Sequence, residues 1–411
     1  MFALPFNRVT LGLALAGFAG LSHAAGFALI EQNASGLGNA YAGAAAVAAD
    51  ASTIYFNPAG MTLLPDRQLV VAGHLIKPRA AFSGDAVFTT PPLKDTPVPG
   101  GQGGDAGNWA LVPNAYFAYR LSPQVHLGVG INAPFGLATE YDPDWVGRTQ
   151  AVKSELKTVN INPSIAYKVN ETLSLGAGLS IQAIKAELTN FAGALGTAKV
   201  KGDDYGWGFN LGALWQPAPA TRVGFAYRSE IDYTLEGRAT FTGNALANGD
   251  ITADTTMPAS ASLSLFHRLS PKFDLLADVT WTGWSAFDAL RIVRTNGTLL
   301  SYTLENWEDI LRYSLGTTWH MSDKLSLRGG VAYDEAPVSD IYRTPRIPDG
   351  ARTWIAFGGQ YRLSKQSALD FGYAHLFVNA PGLRSSDNGT TLNGEYDSQV
   401  DILSAQYTHS F

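Results

Sequence analysis

The sequence predicts an all-β membrane protein, an antiparallel transmembrane β-barrel of about 14 strands from the bacterial outer membrane. Three observations lead to this fold class: an export signal at the N-terminus, one hairpin pattern repeated along the chain, and an amphipathic last strand that ends on Phe411. A fourth feature, a segment near the N-terminus that lacks the repeat, predicts a partly helical hatch that plugs the lumen.

The first 24 residues have the features of a cleaved signal peptide. Arg8 supplies the positive region, 9–21 form an apolar stretch, and Ser22-His23-Ala24 fits a small-x-small cleavage site. The apolar stretch is shorter than the roughly 20 residues that a membrane-spanning helix needs. We therefore predict export and a mature chain that begins at Ala25.

The composition favours a membrane barrel over a soluble protein. Charged residues make up 16% of the chain, against about 25% in soluble domains. Barrel strands expose only every second side chain to lipid, so they lack the long apolar runs of membrane helices. A net charge of −6 argues against a nucleic-acid partner, and the absence of cysteine excludes disulfides and thiolate metal sites. No cofactor and no metal is expected.

Six near-copies of one sequence motif, called phrases below, recur along the chain. In each, an aromatic or basic residue precedes a short polar turn, and an alternating strand follows; the phrases begin at 119–123, 167–171, 215–219, 267–271, 320–324 and 361–365. In 173–181 the apolar residues occupy every odd position, while serine and glycine fill the others. Such period-two stretches match tilted membrane strands of about 9–11 residues.

Long polar segments alternate with these short turns. We predict seven long loops, at 83–108, 134–151, 189–204, 237–255, 294–306, 337–351 and 378–399. Seven loops and six turns join fourteen strands, an even number with both barrel ends in the periplasm and the long loops outside the cell. The alternative, a soluble β-sandwich or propeller, would need inward apolar faces and more surface charge.

The last strand predicts how the barrel reaches and occupies its membrane. Val400 to Phe411 alternates and ends on the aromatic residue, which resembles the signal read by the outer-membrane assembly machinery. We expect this machinery, outer-membrane lipid and lipopolysaccharide as partners of a monomeric barrel.

Residues 25–66 do not follow the hairpin pattern. They are rich in Gly and Ala, and the run 42–49 favours a short, closely packed helix over a strand. A barrel of about fourteen strands has a lumen too wide for its own side chains to fill. We predict three segments: a signal peptide (1–24), a hatch (25–66) and the barrel (67–411).

Several stretches resemble the FadL family of outer-membrane long-chain fatty-acid and hydrocarbon transporters. They are 27–43, Asn57-Pro58-Ala59, 133–137, 145–148, 190–193 and 343–349, so the resemblance extends over essentially the whole mature chain. It implies diffusion of hydrophobic molecules through a barrel with a hatch and a lateral opening at a kinked strand. The Asn-Pro-Ala triplet also marks water channels, but those carry two copies within a helical bundle.

The resemblance and strand parity together nominate site residues. Gating is assigned to the hatch, with Phe27 filling the pocket when ligand is absent; the residues are Phe27, Gly36, Gly38, Asn57, Pro58 and Ala59. Because proline cannot donate a ladder hydrogen bond, the lateral opening is assigned to Asn132, Ala133, Pro134, Phe135 and Gly136. The alternative is that Pro134 merely ends its strand. Ligand binding is assigned to the lumen-facing residues Arg228, Arg312 and Arg328 and to the loop residue Arg346. The alternative for the lumen-facing arginines is that they pair across the lumen with acids such as Asp278 and Asp334.

The expected function is passive uptake of hydrophobic compounds, with long-chain fatty acids preferred. Water disfavours a fatty-acid tail by about 0.8 kcal/mol per methylene, so a greasy pocket with sideways exit into lipid suits such cargo. Import of toluene-type aromatics, general porin activity and lipid hydrolysis are the alternatives. Neither G-x-S-x-G nor H-E-x-x-H occurs, and no enzymatic activity is expected.

Overall fold

The computed structural model describes residues 26–411, so the predicted signal peptide lies outside the described residues. The described strands are β1 (Arg67–Phe88), β2 (Ala110–Arg120), β3 (Val125–Asn132), β4 (Gly136–Glu140), β5 (Lys153–Lys168), β6 (Leu173–Phe191), β7 (Thr197–Ala218), β8 (Thr221–Arg228), β9 (Ile231–Phe241), β10 (Gly249–Met257), β11 (Ser260–Ser270), β12 (Phe273–Thr282), β13 (Ala289–Arg294), β14 (Leu299–Leu304), β15 (Ile310–His320), β16 (Leu325–Asp334), β17 (Arg352–Arg362), β18 (Ser367–Val378), β19 (Gly382–Asp387) and β20 (Thr390–Ser410). The helices are α1 (Ala34–Leu37), α2 (Ala44–Val47) and α3 (Thr53–Phe56), with 3-10 turns at Pro58–Leu63, Gly193–Leu195, Ala245–Ala247 and Trp284–Ala286.

These strands form one closed antiparallel barrel of fourteen wall strands. Six wall strands are interrupted within the described chain, and each therefore consists of two segments: β3/β4, β8/β9, β10/β11, β12/β13, β14/β15 and β18/β19. The barrel closes where β1 pairs with β20 from Gln68↔Ser410 to Phe88↔Thr390. The predicted fold class and strand number are confirmed. Within 26–411, none of the helices has the length and apolar character needed to cross a bilayer.

The two faces of the wall differ as the alternation predicts. On β6, Leu175, Leu179 and Ile181 are exposed on the outer surface, whereas Ser180 and Gln182 are buried toward the lumen. The outward apolar side chains face lipid, so the height over which they occur marks the membrane band.

Four of the predicted long loops are wrong in extent, because strands occupy more than half of each; in 294–306 this strand is β14. β6 and β7 remain paired to Phe191↔Thr197, and β9 and β10 to Ala239↔Gly249, so 189–204 and 237–255 are largely strand. The segment 378–399 contains β19 and the start of β20. Polar residues in these stretches mark the end of the lipid band, because ladder hydrogen bonds continue where the wall projects into water.

The N-terminal segment 26–66, the hatch, lies inside the barrel. Its short helices contact opposite parts of the wall, α1 against β17 and β18 and α2 against β8 and β11. The wall carries glycine where the hatch backbone approaches most closely: a Cβ on Gly224 would lie 2.0 Å from the Ala45 carbonyl oxygen, and one on Gly330 would lie 2.2 Å from the Asn39 carbonyl carbon.

Buried polar bonds tie the hatch to the wall. The Gln406 side-chain oxygen of β20 accepts from the Ala34 amide (3.0 Å), and its Nε2 donates to Asp50 (2.9 Å). The same Asp50 carboxylate accepts from Ser35 Oγ (2.6 Å). These bonds pair buried polar groups of the hatch with the lumen wall, as a buried segment requires.

Candidate binding cavity and wall opening

A cavity of about 590 Å³ lies between the hatch and the barrel wall. This volume is typical of small-molecule sites. Its lining is mostly apolar and comes from the hatch (26–31, Tyr41, Ala44, Tyr55, Phe56), from 131–139, from β1 and β2, and from lumen side chains of the opposite wall. The predicted opening residues Asn132, Ala133, Pro134, Phe135 and Gly136 all lie along it.

The wall beside this cavity has a gap in its ladder. Pairing of β2 with β3 ends at Ala115↔Ile131, and β4 pairs with β5. Within the described chain, the ladder gives 110–114 partners on β1 but none on β3 or β4. The lining includes Leu111 and Ile131, which are 71% and 49% exposed on the outer surface, as well as the lumen residue Arg228. The cavity is therefore lined by residues from both faces of the wall at this gap.

The hatch pairs with the wall at this interruption. The Leu29 amide donates to the Pro134 carbonyl (2.8 Å), and the Gly136 amide donates to the Phe27 carbonyl (3.0 Å). Ala28 and Phe135 face each other between these two bonds as an antiparallel bridge. The first residues of the hatch thus supply backbone partners to the broken strand.

The four predicted ligand arginines lie in different environments. Arg312 forms an ion pair with Asp334 (2.7 Å), and its Nη2 donates to the Ala40 carbonyl of the hatch (2.8 Å). Arg328 forms an ion pair with Asp370 (2.6 Å) and lies away from the cavity. The expectation that lumen cations can pair with lumen acids thus holds for these two side chains.

Arg228 differs, because no carboxylate of the described chain forms an ion pair with it. Its guanidinium donates to Ser180 Oγ (2.7 Å) and to the Tyr55 carbonyl (3.0 Å), and it lies over the Tyr55 ring at 4.3 Å. The side chain lines the large cavity. A partly buried cation whose hydrogen bonds within the described chain all go to neutral groups can still bind an anionic ligand.

Arg346 lies at a second, smaller cavity of about 90 Å³, whose other lining residues are almost all apolar. Its guanidinium donates to Ser154 Oγ (3.2 Å). Burial lowers the pKa of Arg346 to about 10, and the negative charges of Asp387 and Glu305 oppose this shift. The four arginines are therefore not brought together into one site.

Phe27 lines both cavities, as do Leu137, Leu156 and Ile347. Its side chain is 4% exposed and makes edge contacts with Trp284 (4.7 Å between ring centres), Phe287 (5.6 Å) and Trp307 (5.7 Å). Sequence reasoning found Phe27 but missed these partners, which come from two interrupted wall strands far along the chain.

The Asn-Pro-Ala triplet connects the hatch to the wall and does not line the large cavity. Asn57 Nδ2 donates to the carbonyls of Ala45 (2.7 Å) and Ala213 (3.0 Å), and its Oδ1 accepts from the Ala59 amide (3.1 Å). Ala59 lies against Gly176 of β6, where a Cβ would come within 2.3 Å of the Ala59 nitrogen. The triplet therefore fixes the last part of the hatch to β6 and β7.

The two predicted hatch glycines lie in tight places around α1. The Gly36 amide donates to the Asn33 side-chain oxygen (2.9 Å), and a Cβ on Gly38 would lie 2.8 Å from the Gly358 Cα. Gly38 therefore allows close packing against the wall, whereas a Cβ on Gly36 would meet Asn33 and Tyr41 within the hatch itself.

Sequence reasoning missed Glu31, a buried carboxyl group of the hatch that lines the large cavity. Burial raises the pKa of Glu31 to about 7, although hydrogen bonding to its own backbone amide and the charge of Arg352 act in the opposite direction. It is the one charged residue between Gly26 and Ala49, and that isolation was the signal in the sequence.

A closed barrel with a plugged lumen, an apolar cavity and a side gap defines an outer-membrane channel for hydrophobic molecules. The family described as "Outer membrane protein transport protein (OMPP1/FadL/TodX)" matches residues 15–411, and this chain belongs to it. Its homologues are transporters of the bacterial outer membrane, and the outer membrane is the location of this barrel.

Individual relatives agree with this assignment. The chain is 28% identical over 458 residues to the long-chain fatty acid transport protein of Escherichia coli O6:H1, covering 99% of both chains. It is similar to the crystal structure of a Pseudomonas aeruginosa FadL homologue (TM-score 0.86, 26% identity, 94% of this chain and 100% of that one). The Ralstonia pickettii toluene transporter TbuX shares the fold (TM-score 0.69, 20% identity, 93% and 100% covered).

Proposed function

We propose that this protein imports long-chain fatty acids passively, and that the carboxylate binds at Arg228 while the tail occupies the large cavity. The observation that carries the proposal is the partly buried guanidinium of Arg228, which has no ion pair within the described chain, at an otherwise largely apolar cavity. The relative from Escherichia coli, named a long-chain fatty acid transport protein, supports the same cargo.

The charge arrangement favours an anionic head group over a neutral ligand. Arg312 already has Asp334 as partner, and Arg352 has Asp349 (2.6 Å). The carboxylate of a ligand would gain little at these arginines, because their positive charges are already neutralised by aspartates. At Arg228 the same carboxylate would gain charge-assisted hydrogen bonds. A neutral ligand such as toluene would provide no negative charge to pair with Arg228, so aromatic hydrocarbons are the second candidate substrate.

The path follows from the two cavities and the wall gap. Ligand reaches the 90 Å³ cavity first, passes Phe27 into the 590 Å³ cavity, and leaves between β2 and β3/β4 into the membrane. Sideways exit keeps the tail out of water, which would cost about 0.8 kcal/mol per methylene. Movement of the hatch is the gate, with Asn57, Pro58 and Ala59 as its fixed attachment and Gly36 and Gly38 as its packing points. The protein needs no catalytic step for this transport.

Binding measurements with purified protein test the head-group assignment. Arg228→Gln should weaken oleate binding about tenfold to a hundredfold, the value of a buried hydrogen bond to a charged group, and should leave oleyl alcohol binding nearly unchanged. Arg362→Gln, an exposed arginine at the periplasmic end, is the matched control. Equal losses for oleate and oleyl alcohol would contradict the role of Arg228. Wild-type binding of toluene but not of oleate would select the alternative cargo.

A further inference from the structure

The outer wall carries a lysine-rich patch at the end of the barrel opposite the short turns. It spans β5, β6 and β7, and its members are Lys153, Lys157, Lys185, Lys199 and Lys201 with Glu155, Glu187 and Asp203. We call it the lysine patch. Five lysines and three carboxylates leave a net charge of +2, in a chain whose net charge is −6. Glu140 on β4 lies opposite Lys153, and Glu236 and Arg238 on β9 lie opposite Asp203 and Lys201, so the patch with these neighbours carries +1.

The lysine patch lies at the upper edge of the lipid-facing band. Outward residues of β5 are apolar from Tyr167 (49% exposed) to Val159 (55%), and Lys157 is the next outward residue. From Tyr167 to Lys157 the strand advances about 33 Å, which at a tilt of about 40° gives about 25 Å, the height of the apolar band of such barrels. On β7, Tyr205 and Trp207 are each 73% exposed just below the patch, as expected of an aromatic girdle.

Strand register places like charges opposite one another within the patch. Lys157 faces Lys185 on the neighbouring strand, and Glu155 faces Glu187. Directly opposed like charges destabilise a sheet unless another charge compensates them. The arrangement therefore depends on how each pair is neutralised.

Two glutamates of the patch pair with four of its lysines, and the fifth lysine, Lys185, lies opposite Asp203 in the strand register without forming an ion pair with it. Glu187 lies 2.7 Å from Lys201 and 2.9 Å from Lys199, and Glu155 pairs with Lys153 (3.2 Å) and with Lys157. Lys185 has no ion pair within residues 26–411, and the side chains of Lys157 and Lys201 are 71% and 57% exposed. The surplus positive charge points outward at the level of lipid head groups.

We propose that the lysine patch binds the phosphate groups of lipopolysaccharide, the phosphorylated glycolipid of the outer leaflet. Ammonium groups bind phosphate as point charges, and the two glutamates hold four of the lysines in place. The acyl chains would then lie on the outward apolar side chains below, Val159 and Ile181 among them. Because Lys157 is paired in register with Gly136 of β4, the bound glycolipid lies next to the wall opening.

The test uses the folded full-length barrel in detergent and native mass spectrometry with diphosphorylated lipid A. The variant is Lys185→Gln/Lys199→Gln/Lys201→Gln, whose positions do not line either cavity. The control is Lys272→Gln/Lys324→Gln/Lys365→Gln, which makes the same charge change on exposed lysines of the short turns. Circular dichroism and thermal unfolding establish that each variant is folded.

Wild type and control should bind lipid A equally, and the patch variant should bind about a hundredfold more weakly, at about fivefold per lysine. Removing both lipid A phosphates should weaken wild-type binding to the level of the patch variant. The single change Lys185→Gln breaks no ion pair within the described chain and should cost about fivefold. The proposal is overturned if the patch variant binds lipid A with unchanged affinity. It is also overturned if the wild-type protein binds lipid A equally well with and without its phosphates.

Discussion

The pairing of the hatch with the broken wall strand can be tested by a covalent lock, Ala28→Cys with Phe135→Cys. These residues form the bridge between the two flanking backbone bonds, Leu29 to Pro134 and Gly136 to Phe27. That pattern makes them a pair without mutual hydrogen bonds, for which the Cα separation is about 4.5 Å, within the range that a disulfide spans. The chain contains no other cysteine, so no competing disulfide can form.

The size of the expected effect follows from what the lock replaces. Two backbone hydrogen bonds contribute about 0.5–1.5 kcal/mol each, so thermal motion can separate the hatch from the strand. A disulfide across a loop of about 100 residues makes that separation covalently impossible and restricts the unfolded chain by about 4–5 kcal/mol. If the hatch must leave the wall during transport, oxidation should reduce fatty-acid uptake at least tenfold.

The assay compares uptake of a labelled fatty acid into proteoliposomes before and after reduction of the same sample. A non-reducing gel gives the oxidised fraction, and the two single-cysteine variants control for loss of the Phe135 ring. Reduction should restore uptake to the level of those singles. A fully oxidised sample that transports as fast as its reduced form would refute the coupling between hatch and wall.

Three further predictions concern the hatch and its surroundings. Gly330→Ala should displace the hatch backbone at Asn39 and raise the conductance of the protein in planar bilayers. Gly329→Ala is the control, because its Cβ would meet nothing within 4 Å; equal conductances of the two variants would contradict the packing argument. The folded protein holds the Glu31 proton more tightly than the unfolded chain does, because the pKa of Glu31 is about 7 in the folded state against 4.5. The free energy of unfolding should therefore fall by on the order of 3 kcal/mol as the pH rises from 4.5 through 7. Glu31→Gln should remove that pH dependence of thermal unfolding, and an unaltered profile would assign it elsewhere. Phe27→Ala should join the two cavities and speed oleate entry in stopped-flow binding, and slower entry would show that Phe27 guides the ligand instead of blocking it.

The barrel could be predicted from sequence because its determinants are local. Period-two alternation, as in Leu175, Leu179 and Ile181, requires no knowledge of neighbouring strands. Short turns and the amphipathic last strand then fix the number and direction of the strands. Loop lengths could not be read in the same way, because a polar strand in water and a polar loop have similar composition, as 189–204 shows.

The pairing of the charged residues in the lumen could not be predicted from the sequence, for a physical reason. Strand parity tells which arginines point into the lumen, but not which of them meets a carboxylate from another strand. Arg328 pairs with Asp370 two strands away, while Arg228, equally inward, has no such acid. Pairing across a lumen depends on register and tilt around the whole barrel, and the sequence gives neither directly.

The hatch and the wall opening, predicted as separate features, are physically one unit. Pro134 removes a ladder donor, as the sequence indicates, yet the open edge is completed by the backbone of Phe27 and Leu29. A ligand that moves the Phe27 backbone would strain the Gly136 bond, and widening at Pro134 would pull on the Leu29 amide. We predict that ligand arrival at the aromatic cluster and opening of the side exit are coupled through these two hydrogen bonds, which are weak enough to break thermally.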